Sequence, residues 1–202
     1  MEKAKKSGSA IFMDIVIVLM LLVACACFAL YYVGFFKRLV VLWVGVASFT
    51  ILYHFWLRIL MGKVTKRFAI DYKAWWFKEW SFEKKLYKIL KVRKWKGKVL
   101  TYDPDAFLIE KHGYEGVANA MAKAETDHWI NELISLSTML FPLLWGAPWL
   151  FISTAVVGML FDMQFIVVQR FHRPIIMRVI EKEKQRKTRR ALAKKSEDLI
   201  ND

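Results

Sequence analysis

The chain has 202 residues, 56% of them hydrophobic and 15% aromatic, and carries 32 Lys and Arg against 18 Asp and Glu, a formal net charge of +14. Such a composition excludes an ordinary soluble domain and fits a small integral membrane protein with basic flanks. Long apolar runs separate the basic blocks, so the charge points to anionic lipid headgroups and the positive-inside bias before nucleic acid, with an acidic acyl carrier or a phosphate-bearing cofactor as a further candidate.

In chain order, residues 1–61 predict a transmembrane hairpin. A short segment with Lys3, Lys5 and Lys6 precedes a span from Ile11 to Phe35, interrupted only by Asp14. A link with Lys37 and Arg38 leads to a second span, Leu39 to Met61, holding His54 and Arg58 near its far end. About 20 apolar residues suffice to cross, and no small-residue cleavage site follows the first run, so it is expected to stay as an anchor. Cys25 and Cys27, two positions apart, point to different sides of a helix and read as small packing residues.

Residues 62–124 form a long polar connection. From Phe68 to Lys98 aromatic and basic residues alternate, among them Tyr72, Trp75, Trp76, Trp80, Tyr87 and Trp95, which predicts an amphipathic helical segment lying in the membrane interface. The same interleaving can stack the bases of single-stranded nucleic acid, but two preceding spans argue against that partner. Asp103-Pro104-Asp105 reads as a turn or helix start, and Gly113 and Gly116 mark a break. Ala118, Ala120, Met121 and Ala124 then favour a helix feeding into Glu125.

Residues 125–174 predict a second hairpin, with a short third span from Trp129 to Leu144, a break at Gly146-Ala147-Pro148, and a fourth span from Trp149 to Val168 that contains Asp162. Residues 175–202, with Arg178, Lys182, Lys184, Arg186, Lys187, Arg189 and Arg190, predict a basic helix in solvent or on the membrane surface. The fold class expected is therefore an all-α integral membrane protein with about four transmembrane helices, an amphipathic interfacial helical segment and a basic C-terminal helix. Because the two short links carry only Lys37 and Arg38, both termini and the large loop are expected in the cytoplasm of a multi-pass cell-membrane protein.

The chemistry-bearing stretch is Glu125 to Glu132. On a helix Glu125, His128 and Glu132 fall at i, i+3 and i+7 on one face, with Trp129 suited to the depth between water and hydrocarbon. Three readings of His128 compete: a general base oriented by Glu125 or Glu132, a metal ligand, or an interfacial polar residue bonded to a neighbour. The Glu-x-x-His spacing occurs in di-iron bundles, but a second copy and further carboxylates are missing, and four histidines are too few for a histidine-rich oxygenase, so no metal is expected. Asp14, Arg58, Glu132 and Asp162 fall in the same halves of their spans and are expected at similar depth. Each costs roughly 2.5 to 3.5 kcal/mol on insertion, so either Asp14 or Glu132 simply pairs with Arg58, or the set lines a charged pocket.

No nucleophile elbow, no Ser/His/Asp order and no phosphate-cradling glycine loop is visible. Direct transfer between bound substrates is the chemistry left, with the basic aromatic segment, Arg170 and Arg173 as candidate phosphate contacts.

Three stretches in order, Val92-Arg93-Lys94-Trp95-Lys96, then Glu125-x-x-His128-Trp129, then Val168-Gln169-Arg170-x-x-Arg173-Pro174, resemble the glycosyl-4,4'-diaponeurosporenoate acyltransferase family over about Tyr72 to Ile180. The resemblance implies a membrane O-acyltransferase that moves a fatty acyl chain from a thioester to a sugar hydroxyl of a carotenoid glycoside or another glycolipid. It implies acyl-CoA or an acyl carrier protein as donor substrate, no bound cofactor, and membrane lipids and a lipid-linked glycoside as partners. The resemblance carries no catalytic assignment with it; from their chemistry His128, Glu125 and Glu132 are the catalytic candidates. Arg93, Lys94, Trp95, Lys96, Trp129, Gln169, Arg170 and Arg173 are the substrate-binding candidates. The competing class is a non-enzymatic membrane scaffold or assembly protein that binds anionic lipid or a partner through its basic surface.

Overall fold

A computed structural model of the protein describes residues 8–99 and 103–201. The N-terminal lysines Lys3, Lys5 and Lys6 and the final residue of the tail lie outside that range. The fold is all-α, 85% helical, with no strand among the described residues. Its helices are α1 (Gly8–Tyr32), α2 (Leu39–Thr65), α3 (Glu83–Ile89), α4 (Val92–Trp95), α5 (Ile109–Ser137), α6 (Pro142–Trp145) and α7 (Pro148–Asn201), with short 3₁₀ turns between some of them.

Three helices among the described residues are long and apolar enough to cross a membrane: Ile11–Tyr32 in α1, Leu39–Thr65 in α2 and Pro148–Ala193 in α7. The predicted third span, Trp129 to Leu144, is not one of them. Its helix ends at Ser137, tightens into a 3₁₀ turn at Thr138–Leu140, and resumes only as the four-residue α6 begun by Pro142. Gly146 and Ala147, both at positive φ, then turn the chain before Pro148 starts α7, where a missing N–H costs nothing.

The chain divides into two compact units. The first contains Met1–Ala69 and Thr126–Met163. Here α1 and α2 form the expected hairpin. Only 6% of the apolar window of α1 is buried, leaving Ile11, Ile15, Leu19 and Leu22 exposed, as side chains facing lipid are. Cys27 lies against Gly45 of α2, in the packing role expected of it. Inside this unit Phe28, Phe49, Phe141, Trp145 and Phe151 pack ring to ring at centroid distances of 5.6–6.4 Å. Phe151 is fully buried. Truncating such an aromatic costs about 3–5 kcal/mol, so this layer holds the helices together.

The second unit contains Ile70–Val99, Pro104–Glu125 and Gln164–Asp202. Its core joins Tyr72, Phe77, Ala118, Ala122 and Ile180, with Tyr114, Ile176 and Met177 packed against it. Ala118 and Ala122, one turn apart, present the small face that lets these larger side chains approach. The aromatic-basic stretch is not one interfacial helix. It breaks into a 3₁₀ turn at Trp75–Phe77, then α3 and α4, separated by Lys91 in the left-handed region at φ 50. Phe77, Tyr72 and Val92 turn inward while Trp75, Phe82 and Ile89 remain exposed.

One further feature agrees with the reading of the sequence and one departs from it. The break in α5 sits at Gly113, whose φ of 63° and ψ of 177° only glycine adopts readily, and the helix then runs unbroken through Glu125 and His128. Pro174 does not end α7. It removes one i→i−4 bond of the helix, which nonetheless continues through it.

Candidate active site

In the first unit, α2, α5 and α7 bring Arg58, His128, Asn131, Ser135 and Asp162 together. Asp162 is 1% exposed and accepts on both oxygens. Its Oδ1 lies 2.9 Å from His128 Nδ1 and accepts from Asn131 Nδ2 at 3.1 Å, while Oδ2 takes the Arg58 guanidinium at 2.5 Å. Arg58 Nη2 also donates to Ser135 Oγ at 3.1 Å. Gly158, one turn before Asp162, makes this possible, since a Cβ there would stand 2.7 Å from Ser135 Oγ and 3.6 Å from Arg58 Nη2. Tyr53 and Ser137 join by hydroxyls at 2.7 Å, and Thr65 donates to Asp127.

This arrangement has a chemical consequence. A carboxylate paired with a guanidinium is an acceptor only, so His128 meets it with Nδ1–H, and Nε2 is the ring nitrogen left to exchange a proton. A histidine held in that tautomer by a buried carboxylate is the arrangement general bases use. Glu132, one turn beyond His128 on α5, is 8% exposed, and its Oε1 has no hydrogen-bond partner among the described residues. The same holds for both ring nitrogens of His54, at 7% exposure on α2.

Of the four ionisable residues expected at one depth, Arg58 and Asp162 pair directly. The partner anticipated for Arg58 was Asp14 or Glu132; the structure gives it Asp162 instead, because α7 approaches closely at Gly158. Asp162 is also the carboxylate that His128 meets, a role the sequence assigned to Glu125 or Glu132. The 34 positions between them left no local signal of the pairing.

Glu125, in the second unit, is fully buried in a different network. Arg170 Nη1 donates to Glu125 Oε1 at 2.7 Å, and Arg173 forms an ion pair with Oε2. Arg170 Nε donates to Glu83 Oε1 at 2.7 Å, and Tyr87 donates its hydroxyl to Glu83 Oε2 at 2.7 Å. Arg170 Nη1 and Nη2 and Arg173 Nη1 also donate to the carbonyls of Trp76, Lys78 and Phe77, at the end of the 3₁₀ turn. Arg170 stacks on Trp80 and Arg173 on Phe77, at 4.7 and 4.6 Å from the ring centroids. Expected as phosphate contacts, these arginines are committed inside the protein. They tie Glu125, Glu83 and the aromatic segment to α7 just before Pro174.

Tyr87 belongs to this network. Burial, then the bond to Glu83 and its charge, push the phenol well above its usual range.

The other substrate-binding candidates lie apart from that core. Arg93 and Lys94 are exposed on α4, and Trp95 donates Nε1–H to the Leu90 carbonyl. Lys96 Nζ donates to His172 Nε2 at 2.7 Å and sits 5.0 Å from the Phe171 ring centroid. Trp129 and Gln169 are half-buried on α5 and α7.

An all-α chain with apolar helices of membrane-spanning length and a half-buried histidine paired with a buried carboxylate defines a membrane-associated helical protein with the parts of an acid–base enzyme. The sequence profile of the glycosyl-4,4'-diaponeurosporenoate acyltransferase (CrtO) family matches residues 73–182, more than half of the chain, and the protein belongs to this family. It is an acyltransferase. The matched stretch includes His128, Asp162, Glu125, Arg170 and Arg173, and excludes Arg58 and His54. No curated protein and no solved structure gave a significant match to the chain.

Proposed function

We propose that the protein is a membrane-embedded O-acyltransferase that moves a fatty acyl chain from a thioester to a sugar hydroxyl of a lipid-linked glycoside, with His128 as the general base. The family supplies the reaction class and a carotenoid glycoside as the acceptor type. The observation that carries the base assignment is the 2.9 Å contact between His128 Nδ1 and Asp162 Oδ1.

In the proposed step the acceptor hydroxyl oxygen attacks the acyl carbonyl carbon while its proton passes to His128 Nε2. The new C–O bond forms as the C–S bond breaks, and the leaving thiolate recovers the proton from His128. Positioned proton transfer of this kind is typically worth about 10²- to 10⁴-fold. Asp162 fixes the tautomer and stabilises the imidazolium formed in transit, Arg58 and Asn131 hold Asp162, and Glu132 completes the polar face of α5. Trp129 is proposed to line the sugar, and Arg93 and Lys94 to attract an anionic donor. Glu125, Arg170 and Arg173 serve the reaction through the fold.

The charge pattern supports a cell-membrane protein with both termini and the large loop in the cytoplasm, where acyl thioesters are available. Expression in cells that make glycosyl-4,4'-diaponeurosporenoate tests the reading. Lipid extracts should contain a species heavier than the glycoside by one acyl chain, and extracts identical with and without the protein would overturn the proposed acceptor class.

A further inference from the structure

A cavity of about 590 Å³ opens in the second unit, within the roughly 300–1,000 Å³ usual for small-molecule sites. Lys73, Lys78 and Lys84 reach it from the Ile70–Val99 segment and Arg178 from α7, all four exposed. Glu79 is the one acid among the lining residues, 3.7 Å from Lys84. Arg173 also borders the cavity, but its charge is matched by Glu125. Tyr72, Phe77, Pro174 and Met177 supply an apolar wall. Four cations around one cavity with a single loosely paired carboxylate repel one another until an anion joins them. None of the four belongs to the buried ion network of Glu125 and Glu83.

We propose that this cavity holds the phosphate-bearing head of the acyl donor, and that the donor is a coenzyme A thioester. The inference rests on the acyl-transfer reading and names its substrate. A coenzyme A head combines a diphosphate with a phosphomonoester, about −4 in charge at neutral pH, which four cations match. A phospholipid donor, or the prosthetic arm of a carrier protein, brings one phosphodiester of about −1 and leaves most of the cations unanswered. The apolar wall gives the adenine ring a surface to lie on, as base-binding sites do. Arg178 donates Nε–H to the Pro174 carbonyl at 3.1 Å, which positions its head on the α7 side of the cavity.

The test uses the full-length protein in nanodiscs of neutral phosphatidylcholine, with coenzyme A as the titrant in calorimetry. The variant Lys73→Gln/Lys78→Gln/Lys84→Gln should weaken binding about tenfold or more, a loss of roughly 1.4 kcal/mol. The variant Lys187→Gln/Arg189→Gln/Arg190→Gln removes the same charge from the exposed C-terminal part of α7 and should leave the affinity unchanged. Dephospho-coenzyme A, lacking the phosphomonoester, should bind the wild-type protein more weakly than coenzyme A does. Equal affinity in all three proteins, or no binding to the wild type, would overturn the proposal. So would acyl transfer that runs from phosphatidylglycerol or from an acyl carrier protein but not from acyl-coenzyme A, an outcome that leaves the acyltransferase reading intact. Coenzyme A binding that depends on the three lysines, with no transfer from any donor, would keep the cavity as a coenzyme A site and remove the transfer reading instead.

Discussion

His128 Nδ1 lies 2.9 Å from Asp162 Oδ1, on a carboxylate that also holds Arg58 and accepts from Asn131. Helices α2 and α5 thus converge on one acid of α7, which in the proposed mechanism orients the imidazole. Asp162→Asn presents an amide that can donate to Nδ1 and so permits the other tautomer. Transfer should fall about 10²- to 10⁴-fold in kcat, with the KM for donor changed little. A KM effect without a kcat effect would move Asp162 from orienting the base to binding substrate.

Arg58 and Asp162 form a buried pair, at 15% and 1% side-chain exposure. Removing one partner strands the other charge, so Arg58→Met should destabilise the fold by about 3–5 kcal/mol, whereas Arg58→Met/Asp162→Leu should recover most of that loss. Denaturant titration in detergent micelles measures both. Additive losses would mean that the pair is not coupled.

Gly158→Ala places a methyl group 2.7 Å from Ser135 Oγ. The serine must rotate, which breaks its bond with Arg58, and overpacking of this kind typically costs about 1–3 kcal/mol. The same titration should show that loss, and a silent substitution would mean that α7 does not depend on close approach at this point.

Glu125 neutralises two arginines that are themselves buried. Glu125→Gln should cost about 3–5 kcal/mol of stability, read as a lower midpoint in thermal melts. Arg170→Lys should be nearly as damaging, because an ammonium cannot serve Glu83, Glu125 and two carbonyls at once. Normal melts for both would return Glu125 to the catalytic candidates.

Tyr87 gives a pH prediction. Its phenol is pushed above its ordinary value of about 10, so its stabilisation is complete below that value and is lost only as pH rises through the higher folded pKa. The stability difference between wild type and Tyr87→Phe should therefore be about 1 kcal/mol and flat from about pH 6 to pH 9. A difference that shrinks within that window would contradict the bond to Glu83.

The long helices, the α1–α2 hairpin and the helical setting of His128 were legible in the sequence because each rests on local signals: apolar length, alanine content and glycine punctuation. The meeting of Arg58 with Asp162 was half legible, since depth follows from position along a span but partner choice follows from helix packing. The roles of Glu125, Arg170 and Arg173 were not legible. Spacing put Glu125 on the face of His128, yet a carboxylate goes to the guanidinium groups that tertiary packing brings, and those come from residues 45 and 48 positions away. The aromatic-basic stretch misled for a related reason. Its composition suits an interfacial helix, but Phe77 and Tyr72 have a core to enter, and the buried arginines supply the carbonyl partners that a broken backbone needs.

The most direct test of the central claim is single-turnover acyl transfer in nanodiscs, with glycosyl-4,4'-diaponeurosporenoate as acceptor, comparing wild type with His128→Ala at equal amounts of folded protein. The account predicts a rate lower by about 10²- to 10⁴-fold in the variant. A variant that transfers at the wild-type rate would show that His128 is not the base.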